Sequence, residues 1–339
     1  MQRAMELARL GLGSVSPNPL VGCVVVTDNR IIGEGWHRKF GGPHAEVNAL
    51  HQVTDSSLLT KSTVYVNLEP CSHVGKTPPC ADLIIRKGVQ RVVIANLDTN
   101  PLVAGKGIEK IRAAGIEVTL GVLEKEGRAL NKRFFARMEQ GVPYIILKWA
   151  ESADGYMGHH DSGPVWISTE LSRQLVHRWR AEEDAVLVGT RTAAIDNPRL
   201  NVRDWAGRNP VRVVIDTALQ LSASLHLFDQ SQPTLCYNLQ RQEERQNLTF
   251  VKLEADEFLH ALLADLSKRN VGSVIVEGGA ETLATFITSG WWHEARIFKS
   301  TMELRQGIAA PLLRGLLVDE MDLSGDRLSI YKNPSSRIE

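Results

Sequence analysis

The chain has 339 residues, of which 43% are hydrophobic and 23% charged, and its 39 lysine and arginine side chains balance 39 aspartate and glutamate side chains. Such a composition is typical of globular proteins, and the length predicts two domains, because single domains cluster at about 100–200 residues. The balanced charge leaves no electrostatic footprint for nucleic acid or an anionic membrane, so we expect a small-molecule partner, no nucleic acid and no membrane.

The N-terminal segment MQRAMELARLGLG predicts an amphipathic helix and lacks the long apolar core and cleavage site of a signal peptide. No later run reaches the roughly 20 apolar residues that a membrane span needs. Four cysteines are too few for a disulfide scaffold, and Cys23 and Cys236 stand in apolar, strand-like runs that predict buried thiols. We therefore expect a cytoplasmic protein.

The first half alternates β-branched runs with helical patterns and predicts an α/β layer fold. Asp28-Asn29-Arg30 joins the runs LVGCVVV and RIIGEGWH, which predicts a hairpin, whereas later strands separated by helices are expected to run parallel. A charged pattern that starts at Glu124 predicts one long helix ending at Gly141, because Pro143 follows. The predicted domains are therefore 1–142 and 143–339.

The second half restarts with the strand YIILKWA and alternates strands and helices again, which predicts a second α/β domain. After the strand that ends at Gly189, we expect Thr192, Asp196 and Arg203 on irregular backbone. The half contains no GxGxxG fingerprint, so a standard Rossmann dinucleotide site is not predicted. The best candidate for an anion such as a pyrophosphate is SVIVEGGAETLATF, in which two glycines join a strand to a helix.

The segment EPCSHVGKTPPC separates Cys71 from Cys80 by eight residues. Upstream, GGPHAEVNAL places His44 and Glu46 at a helix N-terminus, because Pro43 suits the first turn of a helix. One imidazole and two thiolates make a three-ligand zinc site that leaves the fourth position to water, as catalytic zinc sites do. With Glu46 carrying protons between the water, a ring nitrogen and a departing amine, the pattern predicts hydrolytic deamination.

Two other interpretations remain open. A non-catalytic, zinc-stabilised binding protein would need a fourth protein ligand, for which His73 in the same loop is a candidate. A nucleic-acid base deaminase would need a basic, aromatic groove, and the neutral charge and 6% aromatic content disfavour it.

The stretches SPNPLVGCVVV, GPHAEVNAL and VNLEPCSHVGKTPPCADLI resemble the deaminase half of the bifunctional riboflavin-biosynthesis family, and KWAESADG, VWIS, HRWRAEEDAVL, PVRVVID and VEGG resemble its reductase half. The resemblance implies an N-terminal cytidine-deaminase-like three-layer α/β/α domain followed by a dihydrofolate-reductase-like α/β domain. It implies zinc-dependent deamination of 2,5-diamino-6-ribosylamino-4(3H)-pyrimidinone 5′-phosphate, then NADPH-dependent reduction of the ribose to a ribityl chain. One Zn²⁺ per chain, NADPH and a homo-oligomer, dimer or tetramer, are expected.

By that resemblance Glu46 is the acid/base, and zinc is held by His44, Cys71 and Cys80. The positions implied to contact substrate are Asn18, His37 and Lys76 in the deaminase half, and Trp166, Arg180, Leu200, Arg203 and Glu277 in the reductase half. The positions implied to line the NADPH site are Ala150, Ser168, Thr192, Asp196, Thr217, Gly279, Ala280, Glu281, Thr282, Leu283, Ala284 and Thr285.

Arg180 and Arg203 are suited to bind the phosphate of a ribose phosphate, because a guanidinium group binds phosphate bidentately. Lys148 and Glu277 are further candidates for groups that polarise or protonate the sugar. Pro164 stands where family members often have serine, which removes a possible hydrogen bond to the cofactor.

Overall fold

The computed structural model describes residues 1–72, 78–100, 103–160 and 165–336. The chain divides into two compact units, Met1–Gly141 (unit 1) and Val142–Ile338 (unit 2). This division lies one residue before the boundary that the sequence predicts. Every helix among the described residues is too short or too polar to cross a membrane.

Unit 1 is built on a five-stranded mixed sheet in the order β2-β1-β3-β4-β5. Its strands are β1 Gly22–Thr27, β2 Arg30–Trp36, β3 Thr63–Leu68, β4 Arg91–Asn96 and β5 Glu117–Leu120. Its helices are α1 Gln2–Arg9, α2 Ala45–Leu50, α3 Cys80–Lys87, α4 Lys106–Ala113, α5 Glu124–Leu130 and α6 Lys132–Gln140, with a 3-10 helix at Ser56–Lys61. Strand β1 is antiparallel to β2 and β3, whereas β3, β4 and β5 are parallel.

Alternation along the strands makes both faces of this sheet apolar, so helices cover both. On one face Cys23 and Val25 of β1 pack in a core with Ala49 of α2 and Ile84 of α3. On the other face Val24 packs with the residues of α1. Unit 1 is therefore a three-layer α/β/α domain, as the sequence predicts for the N-terminal half.

The predicted hairpin is confirmed: Asp28 and Asn29 both adopt positive φ between β1 and β2, as a two-residue hairpin turn requires. The single long helix predicted from Glu124 is wrong, because the chain leaves helical geometry at Asn131 and forms α5 and α6. Asn131 instead uses its amide to bind the backbone of Leu20. The predicted end at Gly141 is confirmed, and this residue caps α6 with φ 73°.

Unit 2 contains a ten-stranded mixed sheet in the order β10-β11-β9-β8-β7-β12-β6-β13-β15-β14. Its strands are β6 Tyr144–Glu151, β7 Ala185–Gly189, β8 Val211–Ile215, β9 Thr234–Asn238, β10 Glu243–Arg245, β11 Leu248–Lys252, β12 Ser273–Gly278, β13 Glu294–Ser300, β14 Leu316–Leu323 and β15 Asp326–Lys332. Its helices are α7 Glu170–Glu182, α8 Thr190–Asp196, α9 Phe258–Lys268 and α10 Ala280–Ser289, with a 3-10 helix at His226–Phe228. The seven strands from β11 to β13 in the sheet order are parallel to one another, whereas β10, β15 and β14 pair antiparallel at the two ends of the sheet.

The backbone after β7 corrects the sequence prediction. Thr192 and Asp196 lie in helix α8 rather than on irregular backbone, and Asn197 ends that helix with φ 39°. Arg203 lies outside any helix or strand, as predicted. Strands β6, β7, β8 and β12 end at the same edge of the sheet, where ligands of open α/β sheets bind.

Candidate functional site

Three side chains of unit 1 that can ligate a metal are positioned by helix starts and a strand end. His44 is the N-cap residue of α2 and follows Pro43. Cys71 follows β3 after Glu69 and Pro70, and Cys80 is the first residue of α3. Each residue is fixed by a secondary-structure boundary, which places the three side chains together although 26 residues lie between His44 and Cys71 and eight between Cys71 and Cys80.

The ligand atoms of His44, Cys71 and Cys80 all lie within 4.8 Å of one another. His44 Nδ1 is 3.6 Å from Cys71 Sγ and 3.3 Å from Cys80 Sγ. Tetrahedral zinc, with Zn–S near 2.3 Å and Zn–N near 2.05 Å, separates sulfur and nitrogen ligands by about 3.5 Å. The donor set and its spacing therefore fit a zinc ion with three protein ligands.

The thiols of Cys71 and Cys80 are joined by a hydrogen bond, and a divalent cation can take the place of its proton. The Cys80 thiol and backbone N–H donate to Cys71 Sγ, and with His44 they lower the pKa of Cys71 to about 4 although its burial opposes this. The same pairing raises the pKa of Cys80, and the hydrogen bond to Cys71 raises the pKa of His44. Metal binding displaces protons from such ligands, which makes the cluster suited to capture a cation.

Glu46 lies in the first turn of α2, is only 3% exposed, and hydrogen-bonds through its carboxyl group to the Cys80 thiol. Burial raises the pKa of Glu46 to about 7, and the negative charge of Cys71 adds to the rise. A bound cation would lower that pKa. A buried carboxyl group with a pKa near neutrality can both accept and donate a proton.

Asn18 and His37 lie in contact beside this cluster. Asn18 Nδ2 is 3.1 Å from His37 Nε2, and His37 Nδ1 is 3.0 Å from the carbonyl oxygen of Pro43. His37 therefore donates from Nδ1 and accepts at Nε2, and burial lowers its pKa, which favours this neutral form. The rings of His37 and His44 meet edge to face with centroids 5.5 Å apart. Lys76 and His73 lie outside the described residues.

Glu69 is a buried residue near the cluster for which the sequence analysis predicts no role. Its carboxylate accepts hydrogen bonds from the backbone N–H groups of Asp98, Gly105, Gly107 and Ile108, at 2.9–3.3 Å. It thus fastens the end of β3, which leads to Cys71, to the start of α4. The only signal for Glu69 in the sequence is its place in the motif EPC, directly before Pro70 and Cys71. The sequence does not reveal which backbone groups its carboxylate binds.

Unit 2 contains a cavity of about 1180 Å³ at the carboxyl ends of its parallel strands. This volume exceeds the roughly 300–1,000 Å³ of sites that hold one small molecule, so it can hold a dinucleotide beside a second molecule. The sequence-predicted residues that line it are Ala150, Trp166, Ser168, Arg180, Thr192, Asp196, Leu200, Arg203, Glu277, Gly279, Ala280, Glu281, Thr282 and Thr285.

Three predicted cofactor residues do not line this cavity. Thr217 is exposed, whereas Leu283 is fully buried in the core of unit 2. Ala284 is half-buried on the helix that also carries Leu283. A helix turns by about 100° per residue, so α10 cannot present the six consecutive side chains from Ala280 to Thr285 to one cavity.

A buried ion pair between Arg180 and Glu277 forms part of the lining of the cavity. Arg180 donates to both oxygens of the Glu277 carboxylate at 2.7 Å, and their side chains are 11% and 8% exposed. Burial would raise the pKa of Glu277, but the charge and hydrogen bonds of Arg180 outweigh it and hold that pKa at about 2. Lys148 also lines the cavity, and burial lowers its pKa.

The part of the cavity lining at the start of α10 suits a phosphate group. Among the described residues no side chain caps the N-terminus of α10, and Thr192 Oγ1 accepts a hydrogen bond from the N–H of Gly279 at 2.8 Å. A Cβ atom at Gly279 would lie only 2.8 Å from the same oxygen. The glycine therefore permits a close contact that leaves the helix start open to an anion.

Comparisons with known proteins agree with both sites. The family model of the cytidine and deoxycytidylate deaminase zinc-binding region matches residues 1–96, and that of the RibD C-terminal domain matches residues 143–302. The riboflavin biosynthesis protein RibD of Aquifex aeolicus (strain VF5) is 40% identical over 315 residues, covering 91% of this chain and 88% of that protein. The chain belongs to the RibD family.

Other members of the family share this sequence and fold. The RibD protein of Bacillus amyloliquefaciens is 40% identical over 325 residues, covering 93% of this chain and 87% of that protein. The crystal structure of a diaminohydroxyphosphoribosylaminopyrimidine deaminase/5-amino-6-(5-phosphoribosylamino)uracil reductase from Thermotoga maritima has a TM-score of 0.89 and 38% identity, covering 98% of this chain and 97% of that chain. Acinetobacter baumannii RibD gives the same TM-score at 36% identity and the same coverage.

Membership of this family confirms the resemblance, the fold class and the cofactors predicted from the sequence. The chain is a bifunctional enzyme of riboflavin biosynthesis, with a zinc-dependent deaminase activity and an NADPH-dependent reductase activity.

Proposed function

We propose that unit 1 deaminates a diaminopyrimidine carrying a ribose phosphate and that unit 2 then reduces the ribose of the product with NADPH. The proposal is carried by one observation, the meeting of His44, Cys71 and Cys80 with the buried carboxyl group of Glu46 against them. The reaction order follows from chemistry, because the solved relative is named a reductase of an aminouracil, which is the product of deaminating a diaminopyrimidine.

In unit 1, His44, Cys71 and Cys80 would hold zinc, whose Lewis acidity makes a water molecule nucleophilic near neutral pH. Glu46 would accept a proton from the attacking water and deliver it to a ring nitrogen. As the carbon–nitrogen bond breaks, Glu46 would pass the second proton to the amino group, which leaves as ammonia. Asn18 and His37 would bind the pyrimidine, and Lys76 is proposed as a further contact.

In unit 2, NADPH would supply a hydride to the sugar carbon of the substrate. Trp166, Leu200 and Arg203 would bind the substrate, and the Arg180–Glu277 pair would hold its polar end in a fixed orientation. Lys148 would donate the proton that completes the alcohol, since burial lowers its pKa and makes its ammonium group a better acid. Positioning of donor and acceptor supplies much of the acceleration in such a reaction.

The cofactor residues proposed for unit 2 are those that line the cavity on the side of α8 and α10, with Ala150 and Ser168 beside them. Thr217, Leu283 and Ala284 are proposed to act at most through the backbone. Pro164 lies outside the described residues.

The decisive assay supplies the diaminopyrimidine ribose phosphate and follows ammonia release and NADPH oxidation together. We expect ammonia with or without NADPH, and NADPH oxidation only after ammonia has been released. Absence of ammonia from zinc-loaded protein would overturn the deaminase assignment. Ammonia without any NADPH oxidation would overturn the reductase assignment alone.

The two other interpretations make different predictions for the same protein. Four protein ligands on zinc would favour a binding protein, but among the described residues three ligands meet, and His73 lies outside them. Deamination of a cytosine or adenine in an oligonucleotide would favour a nucleic-acid deaminase. We further propose that the protein is a cytoplasmic homo-oligomer, either a dimer or a tetramer. Sedimentation equilibrium would measure the mass of this oligomer.

A further inference from the structure

Two buried asparagines of unit 1 bind the backbone of a single residue, Leu20. Asn131 Oδ1 accepts from the N–H of Leu20 at 2.8 Å, and Asn131 Nδ2 donates to the carbonyl oxygen of Leu20 at 3.0 Å. Asn67 Nδ2 donates to the same carbonyl oxygen at 2.9 Å, and Asn67 Oδ1 accepts from the N–H of Gly22 at 2.8 Å. We call this arrangement the asparagine clamp.

The clamp is built from parts of unit 1 that are distant in sequence. Asn67 belongs to β3, the strand that leads to Cys71, and Asn131 stands at the break between α5 and α6. Asn67 is fully buried and Asn131 is 3% exposed. A buried amide must satisfy its donors and acceptors inside the protein, and here both amides use them on the segment from Leu20 to Gly22.

The clamped segment continues directly into groups beside the metal cluster. Asn18, two residues before Leu20, contacts His37 Nε2, and the carbonyl oxygen of Val21 accepts a hydrogen bond from the N–H of His37 at 2.9 Å. Asn18 is further held by a turn in which its own N–H donates to Val15. The orientation of the Asn18 side chain therefore depends on a backbone that the clamp fixes.

We propose that Asn67 and Asn131 are positioning residues of the deaminase site, which act by holding Asn18 against His37 in the geometry that binds the pyrimidine. This inference rests on the proposed function, since it assigns the clamp to the same substrate. The side-chain hydrogen bonds of both asparagines go to Leu20 and Gly22 rather than to the metal ligands. The clamp therefore affects substrate binding rather than zinc binding.

A purely structural asparagine and a positioning one differ in their coupling to Asn18. If the clamp acts through Asn18, its loss matters only while Asn18 is present, so the two effects on binding are not additive. If Asn131 only stabilises the fold, its loss shifts the melting temperature and leaves substrate affinity the same, or changes affinity equally in both backgrounds.

The test is a double-mutant cycle of Asn131→Ala and Asn18→Ala, measured as the Kd of the diaminopyrimidine ribose phosphate by calorimetry on zinc-loaded full-length protein. All four proteins carry Glu46→Gln, so no turnover interferes and Kd reports binding alone. We expect each single change to weaken binding about tenfold, as the loss of a hydrogen bond does, and Asn131→Ala to add less than about twofold in the Asn18→Ala background. Zinc content should remain one per chain throughout.

Two further variants keep the test decisive. Asn131→Asp keeps the acceptor for Leu20 and leaves one donor on its carbonyl from Asn67, so it should fold where Asn131→Ala does not, with a smaller loss of about threefold. Asn96→Ala removes another buried asparagine of unit 1, bound to Glu124, and should lower the melting temperature without changing Kd. Equal effects of the Asn131 changes with and without Asn18, or none on Kd, would overturn the proposal. Absence of ammonia from the unsubstituted enzyme would instead overturn the proposed function.

Discussion

The two sites place their chemistry in opposite ways. In unit 1 the metal ligands and the acid/base come from two short stretches, 44–46 and 69–80, and converge within a few ångströms. In unit 2 the lining of one large cavity is drawn from strands and helices between Lys148 and Ile308. A reaction that depends on one activated water concentrates its groups, whereas a hydride transfer between two bound molecules needs a long, shaped surface.

The comparison is tested most strongly by Glu46→Gln, which keeps the size of the side chain and removes its ability to take a proton. We expect ammonia release to fall by about 10³-fold, within the range that general acid/base catalysis contributes. Zinc content and NADPH oxidation with the deaminated intermediate should remain unchanged.

Glu34→Gln is the matched control for that variant. Glu34 is a carboxylate of the same unit that pairs with Arg3 on the surface, and its loss should leave ammonia release near the original rate. An equally slow Glu34→Gln enzyme, or an active Glu46→Gln enzyme, would show that the chemistry of unit 1 is not concentrated at Glu46.

In unit 2 the largest single effect should come from breaking the Arg180–Glu277 pair. Arg180→Met leaves a buried carboxylate without its partner, which we expect to lower the free energy of unfolding of unit 2 by about 3 kcal/mol and to abolish NADPH oxidation. The double variant Arg180→Met/Glu277→Met should recover much of the stability but not the activity. Denaturant unfolding, followed by tryptophan fluorescence, measures the stability of these variants. Recovery of NADPH oxidation in the double variant would contradict a role of the ion pair in the reaction.

Close to the metal cluster of unit 1, adding a methyl group to a glycine should lower stability more than it does beside the cavity of unit 2. A Cβ atom at Gly107 would lie 2.0 Å from the carbonyl oxygen of Pro70, next to Cys71, so Gly107→Ala should cost about 2 kcal/mol and weaken zinc binding. Gly158→Ala, which meets no atom within 4 Å beside the cavity, should change stability by less than about 0.5 kcal/mol. Denaturant unfolding and a zinc competition assay check both, and equal costs would contradict the contrast.

The smallest predicted effect is a pH dependence in unit 2 that comes from His177. Burial, with the charges of Arg180 and Arg203, lowers the pKa of His177 to about 4, although Asp204 opposes this. An unfolded histidine has a pKa near 6.5, so the unfolded state takes a proton first, and the stability from neutral His177 is complete above about pH 6.5 and is lost as pH falls toward 4.

Between about pH 7.5 and 5.5, the free energy of unfolding of unit 2 should therefore fall by about 1 kcal/mol more in the unsubstituted protein than in His177→Gln. Unfolding titrations at the two pH values measure the difference. His260→Gln, which replaces a half-exposed histidine of the same unit, is the control. An identical fall in His177→Gln would show that this histidine is not buried in its neutral form.

The sequence predicted the metal cluster because its parts are marked by residues with strong local preferences. Prolines precede His44, Cys71 and Cys80, and they mark the helix starts and the strand end that position the ligands. The predicted domain boundary rests on residues of the same kind, Gly141 and Pro143. These predictions all depend on the local backbone preferences of proline and glycine.

The rest depended on contacts between distant residues. The break at Asn131 follows from hydrogen bonds to Leu20, 111 positions away, which no local pattern records. The inward position of Leu283 follows from the packing of α10 on the sheet. Strand β14 was not predicted because its residues are exposed on both faces and show no period of two.

The central claim is that zinc in unit 1 has three protein ligands and one position left for water. Zinc-edge X-ray absorption on the full chain, loaded with one zinc ion, measures this directly. We predict two sulfur ligands at about 2.3 Å, one imidazole nitrogen at about 2.05 Å and one further oxygen from solvent. A second imidazole or a third sulfur in the spectrum would contradict the account, because the metal would then have no place for the water that deamination consumes.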